Sequence, residues 1–261
     1  MIISVENTTV PLMSPPPDPE VIYQDQDLLV LFKPARMYVH PPESRFARQN
    51  VTGTTCLQWI KENLDVYAKP IHRLDFATEG LVIFGLNQPA TRKLNEAIKD
   101  HRIRKKYHAI VRGWFRNEHG DITTPLELDS TGELVDCLTK YKTLHKIELP
   151  ISVNSQFPTS RYSWLDIELI TGRWHQIRRH MNREAHPIIG DREHGDSHHN
   201  RFFREKFGVD GLCLKAYEIQ FDHPVENKII KLQAPMTSYW TILSDVFNPS
   251  SKAPHCPEKV I

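Results

Sequence analysis

The chain has 261 residues, 39% of them hydrophobic, which suffices for a buried core and excludes disorder throughout. Its 33 Lys and Arg stand against 32 Asp and Glu, a net charge of +1, so any anionic partner must be met by a local basic patch rather than by the overall field. Apolar runs such as Leu81-Val82-Ile83-Phe84 fall far short of the roughly 18 residues a membrane span needs.

The first twenty residues carry no Lys or Arg ahead of an apolar stretch, and five prolines from Pro11 to Pro19 interrupt them. They are not a secretory signal, and the cytoplasm is the expected location. Residues 1–19 read as an extended or disordered leader, residues 20–248 as one folded domain, and residues 249–261 as a tail. Cys56, Cys137, Cys213 and Cys256 lie at least 43 residues apart with no CxxC pair. That spacing favours buried free thiols over a zinc knuckle or a disulfide framework.

From Val21, VIYQDQDLLVLFKP reads as two strands about a Gln-Asp-Gln-Asp turn. Thr54 or Thr55 caps a helix carrying Leu57, Ile60 and Leu64 on one face. LVIFGL (81–86) is a buried strand. Asn87 caps a second helix, with Pro89 in its first turn and Ala90, Leu94, Ala97 and Ile98 on one face. KKYHAIVRGW (105–114) and SWLDIELI (163–170) alternate as strands. The turn at Thr171-Gly172 leads to a helix expected to carry Trp174, Ile177 and Met181 on its apolar face. Strands LKAYEIQF and KIIKLQA follow about a His223-Pro224 turn, and a short helix spans Tyr239 to Phe247. Strands and helices without regular βαβ alternation predict an α+β fold.

Charge concentrates locally. Seven Lys and Arg against two acids occupy Arg92 to Lys106, and four Arg with no acid occupy Arg173 to Arg183. With Tyr107, Trp114 and Trp174 nearby, these stretches suit RNA, whose phosphates bind cations and whose exposed bases stack on rings. On residue type alone Asp75 caps a turn and Tyr107 is a core aromatic. The stretch His194-Gly195-Asp196-Ser197-His198-His199 reads as a His-rich polar loop rather than a metal site, since no distant ligand pattern supports it.

Taken together, HRLDFATEG (72–80), KKYHAIV (105–111), TGRWHQIRRHM (171–181), HPIIGDREHGD (186–196) and LCLKAYEIQFDHP (212–224) resemble, in order, the motifs of the RluA-type pseudouridine synthases. LFKPARMYVHP (31–41) looks like that family's opening segment. The resemblance covers roughly residues 21 to 236. It implies an α+β catalytic domain with a mixed, mainly antiparallel sheet and a central cleft, isomerising uridine to pseudouridine without cofactor or metal. Asp75 matches the catalytic aspartate. Arg178 matches the arginine that pairs with it, expected to grip it through two parallel hydrogen bonds. Tyr107 matches the tyrosine that stacks on the uracil and is a candidate acceptor of its C5 proton. Leu214 is implied as the opposite wall, and Arg73 as the residue that fills the space a flipped base leaves. His72 is taken as structural.

The basic stretches, with Lys105, Lys106, Arg173, His175 and Arg179, are expected to contact RNA. KYHAIVRGW, the doubled Arg178-Arg179 and HPIIGD-x-x-HGD followed by Asn200-Arg201 resemble members acting on uridine 65 of tRNA. Ribosomal RNA or another tRNA position stays open as the target, and a non-catalytic RNA-binding role is the alternative from another class. A monomer is expected. The family usually reads Thr-Ser-Gly where this chain has Thr78-Glu79-Gly80, and Glu79 is expected to face solvent.

Overall fold

Two apolar stretches become strands buried at every position, β2 (Leu28–Lys33) and β4 (Glu79–Gly85). Successive side chains point to opposite faces, so Leu29, Leu31, Val82 and Phe84 enter one core while Leu28, Val30, Leu81 and Ile83 enter another. A strand covered on both faces shows no polar alternation. The computed structural model describes residues 16–41, 53–128, 130–154 and 156–248. Most of the expected leader, the tail and Cys256 lie outside these residues.

β1 (Glu20–Gln24) pairs with β2 across a turn in which Asp25 accepts from the backbone N–H groups of Asp27 and Leu28. β3 (Lys69–Pro70), β5 (Arg104–Arg112), β6 (His119–Ile122), β9 (Thr139–Leu149), β10 (Ser160–Leu169), β11 (Leu214–Asp222) and β12 (Ile229–Gln233) complete one sheet. Its order is β1-β2-β4-β11-β5-β10-β9-β6, with β12 on β11 and β3 on β4. A small hairpin joins β7 (Leu126–Glu127) to β8 (Leu134–Val135). Every pairing is antiparallel except β4 with β11, where Glu79 faces Lys215 and Gly80 faces Ala216. A Cβ on Gly80 would collide with the Ala216 backbone, and its φ of +135° is open to glycine alone.

Helices cover both faces. α1 (Cys56–Leu64) starts with a capping box of Thr55 and Gln58, and α2 (Gln88–Lys99) with Asn87 accepting from the Ala90 N–H. α2 seals one core with Leu94 and Ala97. On the other face, α1, α3 (Gln176–Arg183), α4 (Ser197–Phe207) and α5 (Ser238–Phe247) contribute Ile60, Ile177, Met181, Phe203, Trp240 and Leu243. The α+β architecture is the expected one.

Two local expectations are corrected. Helix α3 begins at Gln176, two residues after Trp174, whose ring is 40% exposed. The turn from Thr171 is held non-helical because the Gln176 amide oxygen accepts from the Thr171 hydroxyl and the Arg173 N–H. The His-rich loop ends at Asp196, whose carboxylate caps α4 by accepting from the N–H groups of His198 and His199. Cys56, Cys137 and Cys213 are free and buried. Among the described residues, no helix is long and apolar enough to cross a membrane.

Candidate active site

Where β4 and β5 flank β11, a cleft of about 660 Å³ opens, within the roughly 300–1,000 Å³ of small-ligand sites. Asp75, Arg178, Tyr107 and Leu214 line it, with Arg73, Lys105, Arg173 and His175. Asp75 lies in the β3–β4 loop, in a turn closed by a hydrogen bond from the Thr78 N–H to its carbonyl. The next carbonyl, Phe76, accepts from the Arg36 N–H at 2.7 Å and from Lys33 Nζ at 3.5 Å. Lys33 is fully buried and also donates to the carbonyls of Pro34 and Met37. Burial lowers its pKa to about 8, opposed by Cys56, Asp75 and Glu79. This lysine ties the loop after β2 to the loop that carries Asp75.

Arg178 enters from the first turn of α3 and is 4% exposed. Its Nη1 stands 3.6 Å from the Asp75 carboxylate. The expected two-point grip is made on a different acid: Nε and Nη2 donate to the two oxygens of Asp191 at 2.7 and 2.8 Å. Asp191 is buried and accepts further bonds from the N–H groups of Glu193 and His194. Arg178 is thus locked by Asp191 and offers one edge to Oδ2 of Asp75, a residue that lines the cleft.

His175 holds that edge. Its Nε2 is 2.6 Å from Arg178 Nη1, and since a guanidinium only donates, Nε2 is the acceptor. Nδ1 then carries the proton toward His194 Nε2 at 3.0 Å. Burial, then the charge of Arg178, lowers the His175 pKa to about 3. The 3.7 Å approach of His175 to Asp75 is therefore no ion pair. His175, Glu193 and His194 could be read as a metal group, but the His175 Nδ1 that faces the other two carries the proton while Nε2 accepts from Arg178, whose fixed positive charge also opposes any cation.

Burial raises the pKa of Asp75, and Arg178, with Lys33 and Arg73, works against it. Tyr107 is 5% exposed, and burial followed by the charge of Asp75 raises its pKa far enough that the phenol stays protonated. Leu214 lies on the neighbouring strand opposite Ala109, two residues along from Ala216, the partner of Tyr107. Arg73 and Arg173 are exposed at the cleft.

Other basic residues are placed elsewhere. Lys106 projects from β5 opposite to Tyr107 and pairs with Asp166 at 3.3 Å. Arg179 donates to the Glu127 carbonyl, and Arg104 and Arg102 are spent on Glu168 and Asp100. Trp114 donates to the carbonyls of Ile147 and Tyr162, away from the cleft. Glu79, expected in solvent, is buried, with Lys215 Nζ at 3.5 Å and the Thr237 hydroxyl at 3.3 Å. His72 accepts from the Ile83 N–H, within the β3–β4 hairpin. Sequence reasoning missed Lys33 and Asp191, although both stand inside quoted motifs. A lysine amid LLVLF and an acid after Ile188-Ile189-Gly190 were the available signals.

The RNA pseudouridylate synthase family model matches residues 27–183, and the chain belongs to that family. The fold agrees. Human RNA Pseudouridylate Synthase Domain Containing 1 superposes with a TM-score of 0.63 at 21% identity, covering 84% of each chain. Human RNA Pseudouridylate Synthase Domain Containing 4 gives 0.61 at 19% identity, covering 85% of this chain and 90% of that one. Within the family the chain is similar to tRNA pseudouridine synthase C of Vibrio vulnificus, 36% identical over 242 residues, 87% of this chain and 95% of that protein. The protein of the same name from Haemophilus ducreyi is 35% identical over 237 residues, again 87% and 95%.

Proposed function

We propose that the protein isomerises uridine to pseudouridine in tRNA, at uridine 65 in the T stem, with Asp75 as the reacting carboxylate. The observation that supports this most is the placement of Asp75: a partly exposed carboxylate lining the cleft together with Arg178, Tyr107 and Leu214, with the Arg178 guanidinium 3.6 Å away. The reaction breaks the N1–C1′ bond, turns the uracil and joins C5 to C1′. C5 gives up its proton and N1 gains one, so atoms balance without an added reactant. A carboxylate can attack C1′ or remove the 2′ proton. Arg178 keeps Asp75 ionised against the burial that raises its pKa.

Tyr107 serves as a stacking wall. A phenol that stays protonated is a poor base for the C5 proton, while its ring and Leu214 keep the detached uracil in the cleft. A uridine in a stem reaches Asp75 only after leaving the stack, at a cost of a few kcal/mol. Arg73, exposed beside Asp75, is placed to fill the space it leaves. The curated relatives named tRNA pseudouridine synthase C support tRNA as the substrate. A binding-only role gains nothing from Glu79, whose charge is taken by Lys215.

The test is to incubate the purified protein with unmodified tRNA and, separately, ribosomal RNA, and map pseudouridine by nucleotide. Signal at position 65 of tRNA is expected. Signal only in ribosomal RNA or at another position removes the substrate assignment, and none in any RNA removes the activity.

A further inference from the structure

Behind the Arg178–Asp191 pair lies a second cleft, of about 460 Å³, between the Asp191 loop and α4. Three arginines line it: Arg192 from the loop, and Arg201 and Arg204 from α4, three residues apart and so on one face. The opposing charge is small. Asp210 stands 3.5 Å from Arg192 and 3.9 Å from Arg204, and Arg201 has no acidic partner among the described residues. Asp191 also borders the cleft, but both of its oxygens are committed to Arg178. Asp196, which caps α4, is paired with Arg112.

The cleft is built rather than incidental. Asn200 accepts from the Gly190 N–H and donates to the Asp191 carbonyl, both at 2.7 Å, fastening α4 to the loop. A Cβ on Gly190 would strike the Gly211 carbonyl, and one on Gly195 the Asp191 carbonyl, so both glycines permit this close approach. Planar guanidiniums with unused donors match the paired oxygens of phosphate, and structured RNA is held largely through its phosphates. The loop that supplies Arg192 also supplies the acid that locks Arg178. One wall therefore separates this cleft from the one that holds Asp75.

We propose that this second cleft is an RNA-contact surface, in which Arg192, Arg201 and Arg204 hold backbone phosphates of the substrate outside the nucleotide that enters the first cleft. The proposal rests on the reading of the protein as an RNA-modifying enzyme and adds a second hold on that RNA. No single sequence window shows it, because Asp191, Glu193 and Asp196 dilute the arginines along the chain.

Binding of unmodified tRNA to the full chain, measured between about 50 and 200 mM salt, tests it. In the variant carrying Arg192→Ala, Arg201→Ala and Arg204→Ala, affinity at the upper salt falls about tenfold, and the slope of log K on log salt becomes shallower by about two, at roughly 0.7 to 0.9 per lost phosphate contact. The rate at saturating tRNA stays at the wild-type value. Arg201→Glu alone, which breaks no ion pair among the described residues, weakens binding at least threefold, whereas Arg201→Lys keeps the slope; these decide the matter should the triple variant fail to fold. Affinity and slope within twofold of wild type in both Arg201→Glu and a folded triple variant would overturn the proposal. Weakened binding in the variants, with a wild type that makes no pseudouridine, would sink the activity and leave the surface standing. Normal turnover with unchanged KM in these variants would do the reverse.

Discussion

Arg178 spends its donors on four groups at once: Asp191, His175, Glu193 and the edge of Asp75. Asp191 is 1% exposed, so removing its charge leaves a buried guanidinium without its main counter-ion. Asp191→Asn is expected to lower unfolding stability by about 3–5 kcal/mol in urea titration, the range for breaking a buried pair from one side. Turnover should fall with it, as Arg178 loses its aim. Stability loss below 1 kcal/mol, a figure typical of about the surface-pair range, would show that Asp191 does not lock Arg178. The pH profile of the rate carries the other residue-scale expectation. In the role proposed for it Asp75 reacts as the carboxylate, and burial raises its pKa above the ordinary 3.8, so the acid limb of kcat/KM is expected at a pH above 3.8. Arg178→Gln removes the largest opposing influence and moves that limb further up. A limb that stays in place would mean that another group titrates.

The single parallel pairing, β4 with β11, carries the element-scale expectation. There Glu79 and Lys215 meet across the junction, with side chains 11% and 3% exposed. Burial pushes the pKa of Glu79 up and that of Lys215 down, so each costs desolvation that the charge of the other offsets most. Glu79→Ala should cost about 3–5 kcal/mol by leaving Lys215 without its counter-ion, while combining Glu79→Ala with Lys215→Met recovers most of it. Additive losses in that double-mutant cycle would contradict the coupling. Elements with local signals were legible: caps at Thr55 and Asn87 and apolar spacing mark α1 and α2, and β2 and β4 are unbroken apolar runs. β9 was not. Lysines fill its outer face, only Tyr141, Ile147 and Leu149 reach the core, and an irregularity opposite Trp164 and Leu165 breaks its alternation. Helix α4 hid behind two histidines and charged residues, with Phe203 as its deepest anchor.

At the scale of the molecule, a chain of net charge +1 gathers exposed Arg73 and Arg173 at one cleft and three more arginines at its neighbour. Much of the basic stretch before β5 is neutralised instead by Glu168, Asp166 and Asp100. Sequence showed which residues belong together, because the ordered motifs carry Asp75, Tyr107, Arg178 and Leu214 to one place. It could not show pairing between residues far apart in the chain, and so the partners that Asp191 finds through a loop and Lys215 across a strand pair surfaced only in three dimensions.

Asp75 also sets a balance between stability and chemistry. A carboxylate whose pKa rises on folding subtracts from stability above that pKa, and the loss is relieved as pH falls toward 3.8. Asp75→Asn should therefore melt no lower than wild type while turnover falls by more than about 10²-fold. Because C5 must shed its hydrogen to bond C1′, the most direct measurement is tritium release from tRNA labelled at uridine C5, with wild type and Asp75→Asn at equal concentration. Release by wild type alone, with both proteins equally folded, is the expected result; equal release by the two, or none by wild type, would contradict the assignment of Asp75.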